Sequence, residues 1–572
     1  MGSCIHRHRV CDPACGSGNF LTETYIWLRR LENKVLAELA HQQTSLVFEE
    51  IGTPLKVSLD QFYGIEINDF AVNVAMTALW IAELQANAEA QTIVTQQIED
   101  LPLADKAHIV SGNALQIEWE SVFPPSKASY IIGNPPFIGY SRLDADQKAD
   151  RLAIFGKSGG VLDYVACWYR KAADYMRANQ AIEAAFVSTN SICQGQQVAP
   201  LWKPIFDAGV VINFAHRTFV WANEAEHQAH VFCVIVSFSY TERDEKWVWT
   251  YRRPTADERE EYGLAGRAQI ADRSRVRHLN GYLADAPDVF LDRRSKPISD
   301  VPEMSAGGKP TEGGHLLLSP EERTDLIRRE PQAEKWIRKF SMGAEFIKGL
   351  DRYCLWLVDA TPADLRSMPL VLERVKAVRE TRRKSTKKAT QAKAETPWRF
   401  DEIRYGGEGA YIGVPKVSSE RRKYIPMGFV TDGMIPGDKL YFIPSDSLYV
   451  FGVLMSRVHN AWMRVVGGRL KSDYSYGNTT IYNNLVWPTP SSGQKTEIEA
   501  AAQAVLDARA AYPGSSLADL YDPDNDFLYP QLVAAHRRLD VAVEAAYGFE
   551  PGVSEEQIVA HLFELYNHAV NR

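Results

Sequence analysis

Val10-Cys11-Asp12-Pro13-Ala14-Cys15-Gly16-Ser17-Gly18-Asn19-Phe20 is the stretch that decides how this chain folds. Val10 and Cys11 end an apolar strand pattern, Pro13 stops it, and a helical pattern runs from Phe20 to Leu36. Gly16 and Gly18 let the backbone turn tightly and approach a ligand, while Asn19 and the helix start present free N–H groups. The alternation then continues. Residues 61–67, 109–115 and 128–133 read as strands, as do 184–188, 210–214 and 229–238, whereas 73–84 and 164–177 read as helices. From Val10 to about Thr241 this order predicts an α/β fold, a doubly wound Rossmann-like sheet with an antiparallel pair as its last strands. The turn lacks both the third glycine of a dinucleotide loop and the Lys-Ser/Thr ending of a phosphate loop.

A second string, Asn134-Pro135-Pro136-Phe137, follows the 128–133 strand and so falls at a strand's C-terminal end, where open α/β sheets bind ligands. Its residues suit a narrow chemistry, the transfer of a methyl group onto an amine. The exocyclic amine of adenine is a poor nucleophile, because its lone pair is delocalised into the ring. The Asn134 side-chain oxygen and the Pro135 carbonyl can accept hydrogen bonds from both amine hydrogens and so favour attack. Pro135 and Pro136 restrict the loop, and Phe137 supplies a face for an extruded planar base. The plainer reading is a proline turn after a buried strand. Order favours chemistry: a glycine turn, then Glu66 placed for paired ribose hydroxyls, then Asn113 for an adenine ring, then Asn-Pro-Pro-Phe. Glu66 has a competing role as a helix cap, with Asn68 and Asp69 beside it, and Asn113 as a turn former.

These elements resemble the cofactor and catalytic motifs of S-adenosyl-L-methionine-dependent DNA adenine-N6 methyltransferases, most closely the MmeI-like family of single-chain restriction-modification proteins. Leu162-Asp163-Tyr164-Val165, Ala185-Phe186-Val187-Ser188-Thr189-Asn190-Ser191, Trp221-Ala222-Asn223-Glu224-Ala225, Asp351-Arg352-Tyr353-Cys354-Leu355-Trp356-Leu357 and Tyr476-Gly477-Asn478-Thr479-Thr480 resemble that family's segments in order. The resemblance implies an S-adenosyl-L-methionine site. Asp12, Ala14 and Gly16 would hold the methionine end, with Gly18, Asn19 and Phe20 in the same turn, Glu66 and Ile67 at the ribose, and Asn113 and Ala114 at the adenine ring. It implies catalysis by Asn134, Pro135, Pro136 and Phe137, and makes Phe219 or Trp221 candidates for contacting a flipped base opposite Phe137. Double-stranded DNA is the implied partner, in a restriction-modification or related phage-defence system. In this family a further cofactor segment, a helical spacer and a nuclease precede the first glycine turn, and Met1 to Cys11 is too short to supply them. Nuclease activity is therefore not expected. Either the chain is a fragment or split form, or a second chain completes the pocket or brings the nuclease.

At 572 residues, 45% apolar and 24% charged, the chain has the composition of an ordinary globular protein of two to four domains. Its net charge of −8 does not argue against DNA, which needs only local basic surface. The seven cysteines form no metal spacing and no disulfide framework, and with no signal peptide they point to the cytoplasm. No apolar run is long enough to span a membrane. His227 and His230 share helical spacing, but no carboxylate or cysteine set completes a metal site, so none is expected.

The expected domains are a methyltransferase domain over 1–245, an irregular connector over 246–335, a target-recognition domain over 336–490 and a helical C-terminal segment over 491–572. Recurring aromatic and β-branched residues between turns predict a mixed, mostly β recognition domain. Within it, residues 362–395 read as one long basic helix carrying Arg382 and Lys387, either a phosphate-contacting face or a solvated one. Arg421, Arg422, Arg469, Lys471 and Tyr474 cluster near turns and are further DNA-binding candidates. Two alternatives stay open. One keeps the chemistry on RNA adenines or protein amides, and the other is a DNA-binding specificity subunit or remnant with an incomplete cofactor pocket.

Overall fold

The structure, a computed structural model, describes residues 7–42, 55–93, 106–221, 231–264, 266 and 268–571. The chain divides into two compact units, Met1–Phe290 and Leu291–Arg572. His227, His230 and most of the 221–225 segment lie outside the described residues.

The first unit is built on a nine-stranded sheet: β1 (Val10–Asp12), β2 (Phe62–Glu66), β3 (His108–Ser111), β4 (Tyr130–Gly133), β5 (Glu183–Thr189), β6 (Val211–Trp221), β7 (Val231–Ser239), β8 (Lys246–Arg252) and β9 (Ile270–Val276). Their order is β3-β2-β1-β4-β5-β7-β6-β8-β9. The first five strands are parallel, and β7 runs antiparallel between β5 and β6. Helices α1 (Asn19–Gln42) and α2 (Asp69–Gln91) pack together over buried Leu21, Tyr25, Leu79 and Ala82. Helices α3 (Ala145–Phe155), α4 (Ala166–Met176) and α5 (Val198–Phe206) follow β4 and β5. Because chain order reverses between β1 and β4, the loops leaving these two neighbours diverge and open a crevice at the strands' C-terminal ends.

The β6 and β7 strands pair antiparallel as expected, but they do not end the sheet. β8 and β9, drawn from the segment read as connector, continue it beyond residue 245. Lys246-Trp247-Val248-Trp249-Thr250-Tyr251 does alternate as a strand should. In β9, however, residues 271–275 are all exposed, so only its ladder to β8 defines it.

The second unit differs from a mostly β domain. Its sheets are small: one joins Ser305–Ala306, Leu440–Ile443, Tyr411–Pro415 and Gly428–Val430, a second has four short strands, and a third has three. Between residues 336 and 490 helix outweighs strand. Leu448–Met455, for example, is an apolar run of strand length that forms a buried helix, a case in which periodicity cannot discriminate. The single basic helix is also divided: Pro362–Ser367, Pro369–Arg383 and Lys388–Ala392 are separate, with Pro369 opening the second. The C-terminal segment is helical as expected, with Ser492–Ala510, Pro530–Ala546 and Glu555–Val570. Packing there is close: a Cβ on Gly452 would lie 2.9 Å from Ile498 Cγ2.

Candidate active site

Asp12 ends β1 at 1% exposure. Its Oδ1 accepts the Ala14 N–H at 3.0 Å, which shapes the turn that Pro13 begins. Burial drives its carboxyl up to about 7, the Ala14 hydrogen bond opposes this, and the Glu66 charge adds to it. On the adjacent strand Gly133 ends β4, and a Cβ there would stand 2.4 Å from Asp12 Oδ1. The glycine before Asn134 is thus what allows the Asp12 carboxylate to sit against the root of the Asn-Pro-Pro-Phe loop.

The glycine turn is equally constrained. Gly16 and Gly18 have φ of +54° and +84°. A Cβ on Gly18 would meet Ala75 Cβ at 2.9 Å, so Gly18 lets the start of α1 touch α2. Glu66 at the end of β2 accepts Gly16 N–H at 2.9 Å through Oε2 and Asn68 N–H at 2.9 Å through Oε1. The cap of α2 is Asn68, whose Oδ1 accepts from the Phe70 and Ala71 amides, so Glu66 has no capping role. Beside it Ile67 and Phe70 expose apolar side chains, at 70% and 76%.

Asn113 follows β3 after Gly112. Its Oδ1 accepts Leu115 N–H at 2.9 Å, and its Nδ2 donates to Asp150 Oδ2 at 3.0 Å. Ala114 beside it is buried. Asp150, on α3, also accepts from Gln116 Nε2 at 2.9 Å and Tyr164 OH at 2.7 Å. Burial raises its pKa, but the hydrogen bonds from Gln116, Tyr164 and Asn113 outweigh burial and hold it below the ordinary carboxylate range. Asp150, which sequence reading missed, is the carboxylate that holds the Asn113 amide in this candidate site.

In the loop after β4, Asn134 and Pro136 are exposed, Pro135 is buried and Phe137 half-buried. Among the described residues the Asn134 side chain has no hydrogen-bond partner, so its amide is available to a ligand. The loop's far end is fixed: Tyr140 N–H donates to Asp163 Oδ1 at 2.9 Å, and Tyr164 N–H to the Ile138 carbonyl at 2.9 Å. The beginning of α4 is also tied to the β1 turn by Trp168 Nε1, which donates to the Pro13 carbonyl at 3.1 Å. These contacts bring the Asp12, Glu66, Asn113 and Asn134 loops to one edge of the sheet. Asn19 and Phe20 line a different groove, of about 1070 Å³, with Trp27, Leu31 and Ile93, and its lining includes none of those four residues.

Phe219 and Trp221, the candidates for facing a base opposite Phe137, close β6, and β5 and β7 lie between β4 and β6 in the sheet. Phe219 packs on Tyr251, ring centroids 5.0 Å apart, and on Trp221, beyond a bulge after His216.

The basic candidates of the second unit divide sharply. Arg382 is 1% exposed and saturated by the main chain. Its Nε donates to Thr311 O (3.0 Å), Nη1 to Lys393 O and Thr396 O (both 3.0 Å), and Nη2 to Pro310 O (3.1 Å) and Arg399 O (2.7 Å). All five donors are used, so Arg382 is no phosphate contact. Arg421 pairs with Asp522 and Asp524. Arg469 lies over the buried Tyr474 ring, 3.9 Å from its centroid, and donates to Ser472 O at 3.1 Å. Arg422 is half-buried, and burial lowers its pKa. Lys387 and Lys471 are exposed, and neither has an ion pair among the described residues. Lys471 stands at φ +60° in the turn of the hairpin Gly468–Leu470 and Asp473–Ser475.

Three family models match the chain in succession. Residues 1–250 match the family model "MmeI, DNA-methyltransferase domain", 285–489 match "MmeI, target recognition domain", and 490–572 match "MmeI, C-terminal domain". The solved structure of the Type IIL restriction-modification enzyme MmeI in complex with DNA superposes with a TM-score of 0.87 at 42% identity, covering 100% of this chain and 74% of that one. The chain belongs to the MmeI family. DNA methyltransferase A of Bacillus subtilis (strain 168) is 39% identical over 574 residues, 99% of this chain. The chain spans 62% of that relative's length. The methyltransferase match ends at 250, inside β8, whereas the compact unit extends to Phe290 and so takes in β9.

Proposed function

We propose that the chain is a site-specific DNA methyltransferase of a restriction-modification system, transferring a methyl group from S-adenosyl-L-methionine to adenine N6 in double-stranded DNA. The observation that carries this reading is the juxtaposition of the buried Asp12 carboxylate with the loop bearing the unpartnered Asn134 amide. The residues present fit the cofactor. Asp12 is an acid for an ammonium group, each Glu66 oxygen keeps a lone pair for a ribose hydroxyl, and exposed Ile67 and Phe70 offer apolar cover for a purine. When bound, S-adenosyl-L-methionine supplies an electrophilic methyl on a sulfonium.

The chain's own residues would do the rest. Asn134 Oδ1 and the Pro135 carbonyl accept the two amine hydrogens and orient the nitrogen lone pair out of conjugation, without a general base. Phe137 stacks the extruded base. The methyl that the cofactor would supply would replace one amine hydrogen, whose proton would leave for water, with Asp12 and Glu66 as the residues that would hold the cofactor. In the second unit, Lys387 and Lys471 are the candidates left with free charge for phosphate or base contact. A restriction-modification setting rests on kinship with MmeI.

The test is transfer of labelled methyl from S-adenosyl-L-methionine into DNA libraries, followed by nucleoside analysis. N6-methyladenine is expected with wild type. With Asn134→Ala the rate should fall by at least about a hundredfold, while cofactor affinity measured by calorimetry stays within about twofold. Cofactor binding without labelled adenine would refute the activity, and sequence-specific DNA binding without cofactor binding would favour a specificity subunit.

A further inference from the structure

Residues 162–164 do more than precede α4. Asp163 is 8% exposed, and its two carboxylate oxygens face different loops: Oδ1 accepts the Tyr140 N–H of the loop after β4, and Oδ2 accepts the Ser191 hydroxyl of the segment after β5 at 2.6 Å. Its own N–H donates to Gln197 Oε1 at 3.0 Å. Tyr164, 6% exposed, donates its N–H to Ile138 O, again in the loop after β4, and its hydroxyl to Asp150. Asp150 in turn holds the Asn113 and Gln116 amides of the loop after β3. A dipeptide therefore grips the far end of the Asn134 loop by two hydrogen bonds. Through one phenol and one carboxylate it also connects that loop to the Asn113 turn.

We propose that Asp163 is a positioning residue for the Asn134–Phe137 loop, and that Tyr164–Asp150 couples that loop to occupancy of the cofactor's adenine site. The inference rests on the methyltransferase reading for its kinetic consequences, but its structural core does not. Pro135 and Pro136 stiffen the near end of the loop, and Asp163 restrains the end beyond Phe137, beside the bond that Ile138 O accepts from Tyr164 N–H. A carboxylate accepting a backbone N–H and a hydroxyl makes charge-assisted bonds, stronger than neutral ones, so the restraint belongs to the ionised group. Asn113 cannot change its amide orientation without breaking its bond to Asp150, and Asp150 cannot shift without disturbing Tyr164. Such contiguous hydrogen bonds give two sites a shared equilibrium, and coupling of this kind is reciprocal.

The experiment compares the full chain with Asp163→Ala, Asp163→Asn and Tyr164→Phe. In cofactor-free protein, backbone hydrogen exchange across residues 134–142 should speed up at least fivefold in Asp163→Ala. It should be partly restored in Asp163→Asn, whose side-chain oxygen can still accept from Tyr140. Unchanged exchange there overturns the positioning role whether or not the chain methylates anything, and a thermal midpoint near wild type shows that the variant is folded. Addition of S-adenosyl-L-methionine should slow exchange at both 113–117 and 134–142 in wild type, but only at 113–117 in Tyr164→Phe. Equal protection of both segments in that variant overturns the coupling, and so does wild-type protection confined to 113–117. With DNA present, Asp163→Ala should lower kcat about ten- to a hundredfold with KM for DNA within threefold. A change in KM alone would make Asp163 a merely structural residue. Wild-type protein that fails to bind cofactor would sink the methyltransferase reading and the coupling together, leaving the cofactor-free exchange result to decide Asp163.

Discussion

Replacing Arg382 by lysine separates two roles that the sequence alone leaves open. A phosphate-contacting arginine tolerates this change in part, because the positive charge remains. The arginine in the structure does not, because what matters is a planar fork reaching five carbonyls from Thr311, Lys393, Thr396, Pro310 and Arg399. An ammonium has three donors, so at least two of the five bonds would be lost; the Pro310, Lys393 and Thr396 carbonyls would keep a main-chain N–H partner, whereas those of Thr311 and Arg399 rely on Arg382. Each lost hydrogen bond from a charged donor costs about 1.5–3 kcal/mol, and the ammonium must also be held without the guanidinium's geometry. Arg382→Lys should therefore destabilise the second unit by about 3 kcal/mol and Arg382→Ala by about 4–5 kcal/mol, the larger value reflecting loss of all five bonds and an unfilled space.

For a unit of this size, about 3 kcal/mol lowers Tm by roughly 6–12 °C. Calorimetry would resolve the transition, and limited proteolysis would find new cleavage near 310–311 or 393–399, the segments that Arg382 joins. DNA affinity of the folded variant, and its salt dependence, should stay at wild-type values, because no phosphate contact has been lost. The reasoning fails if Arg382→Lys melts with wild type, or if Arg382→Ala loses affinity and flattens the salt slope without a stability cost.

Other residues give sharp expectations. Because the Asp12 carboxyl is raised to about 7, the folded protein keeps a proton between about pH 4 and 7 that the unfolded chain releases. Stability of the first unit should therefore fall as pH rises through that window, by up to roughly 4 kcal/mol, and Asp12→Asn should flatten the pH dependence of Tm while abolishing cofactor binding. A slope unchanged in Asp12→Asn would refute the assignment. Gly18→Ala places a methyl against Ala75 at a φ of +84° and should cost about 1–3 kcal/mol, read as a lower Tm for the first unit, with weaker S-adenosyl-L-methionine binding by calorimetry. Lys471→Gly relieves a positive φ, so Tm of the second unit should rise slightly, by the equivalent of about 1 kcal/mol. DNA affinity should fall and the salt slope drop by about one if Lys471 meets a phosphate. A fall in both Tm and affinity would mean that the hairpin needs the lysine for its fold.

What could be read from the sequence was chemistry that sits on one loop. The glycine turn needs Gly16 and Gly18 for reasons internal to a few residues, and the order of strands put Asn134 at the correct edge of the sheet. Asp150 escaped, because its role is defined by Tyr164, Gln116 and Asn113, at separations of 14, 34 and 37 residues. No local pattern marks a carboxylate that serves partners so far apart. Asp163 was visible only as part of a resemblance to family segments. β9 was invisible for a different reason: with five consecutive exposed residues it has no apolar face to give a period. Arg382 is the instructive case, since the signal was present. Val371, Val375, Val378 and Arg382 occupy one helical stripe, and all four are buried. Counting basic residues along 362–395 grouped Arg382 with its solvated neighbours, whereas its position in the period placed it with the valines. An arginine continuing an apolar stripe must find its hydrogen bonds inside the protein, and the only acceptors abundant enough there are main-chain carbonyls at helix ends and turns. Position within the helical period, and not charge, is thus what places Arg382 with the core.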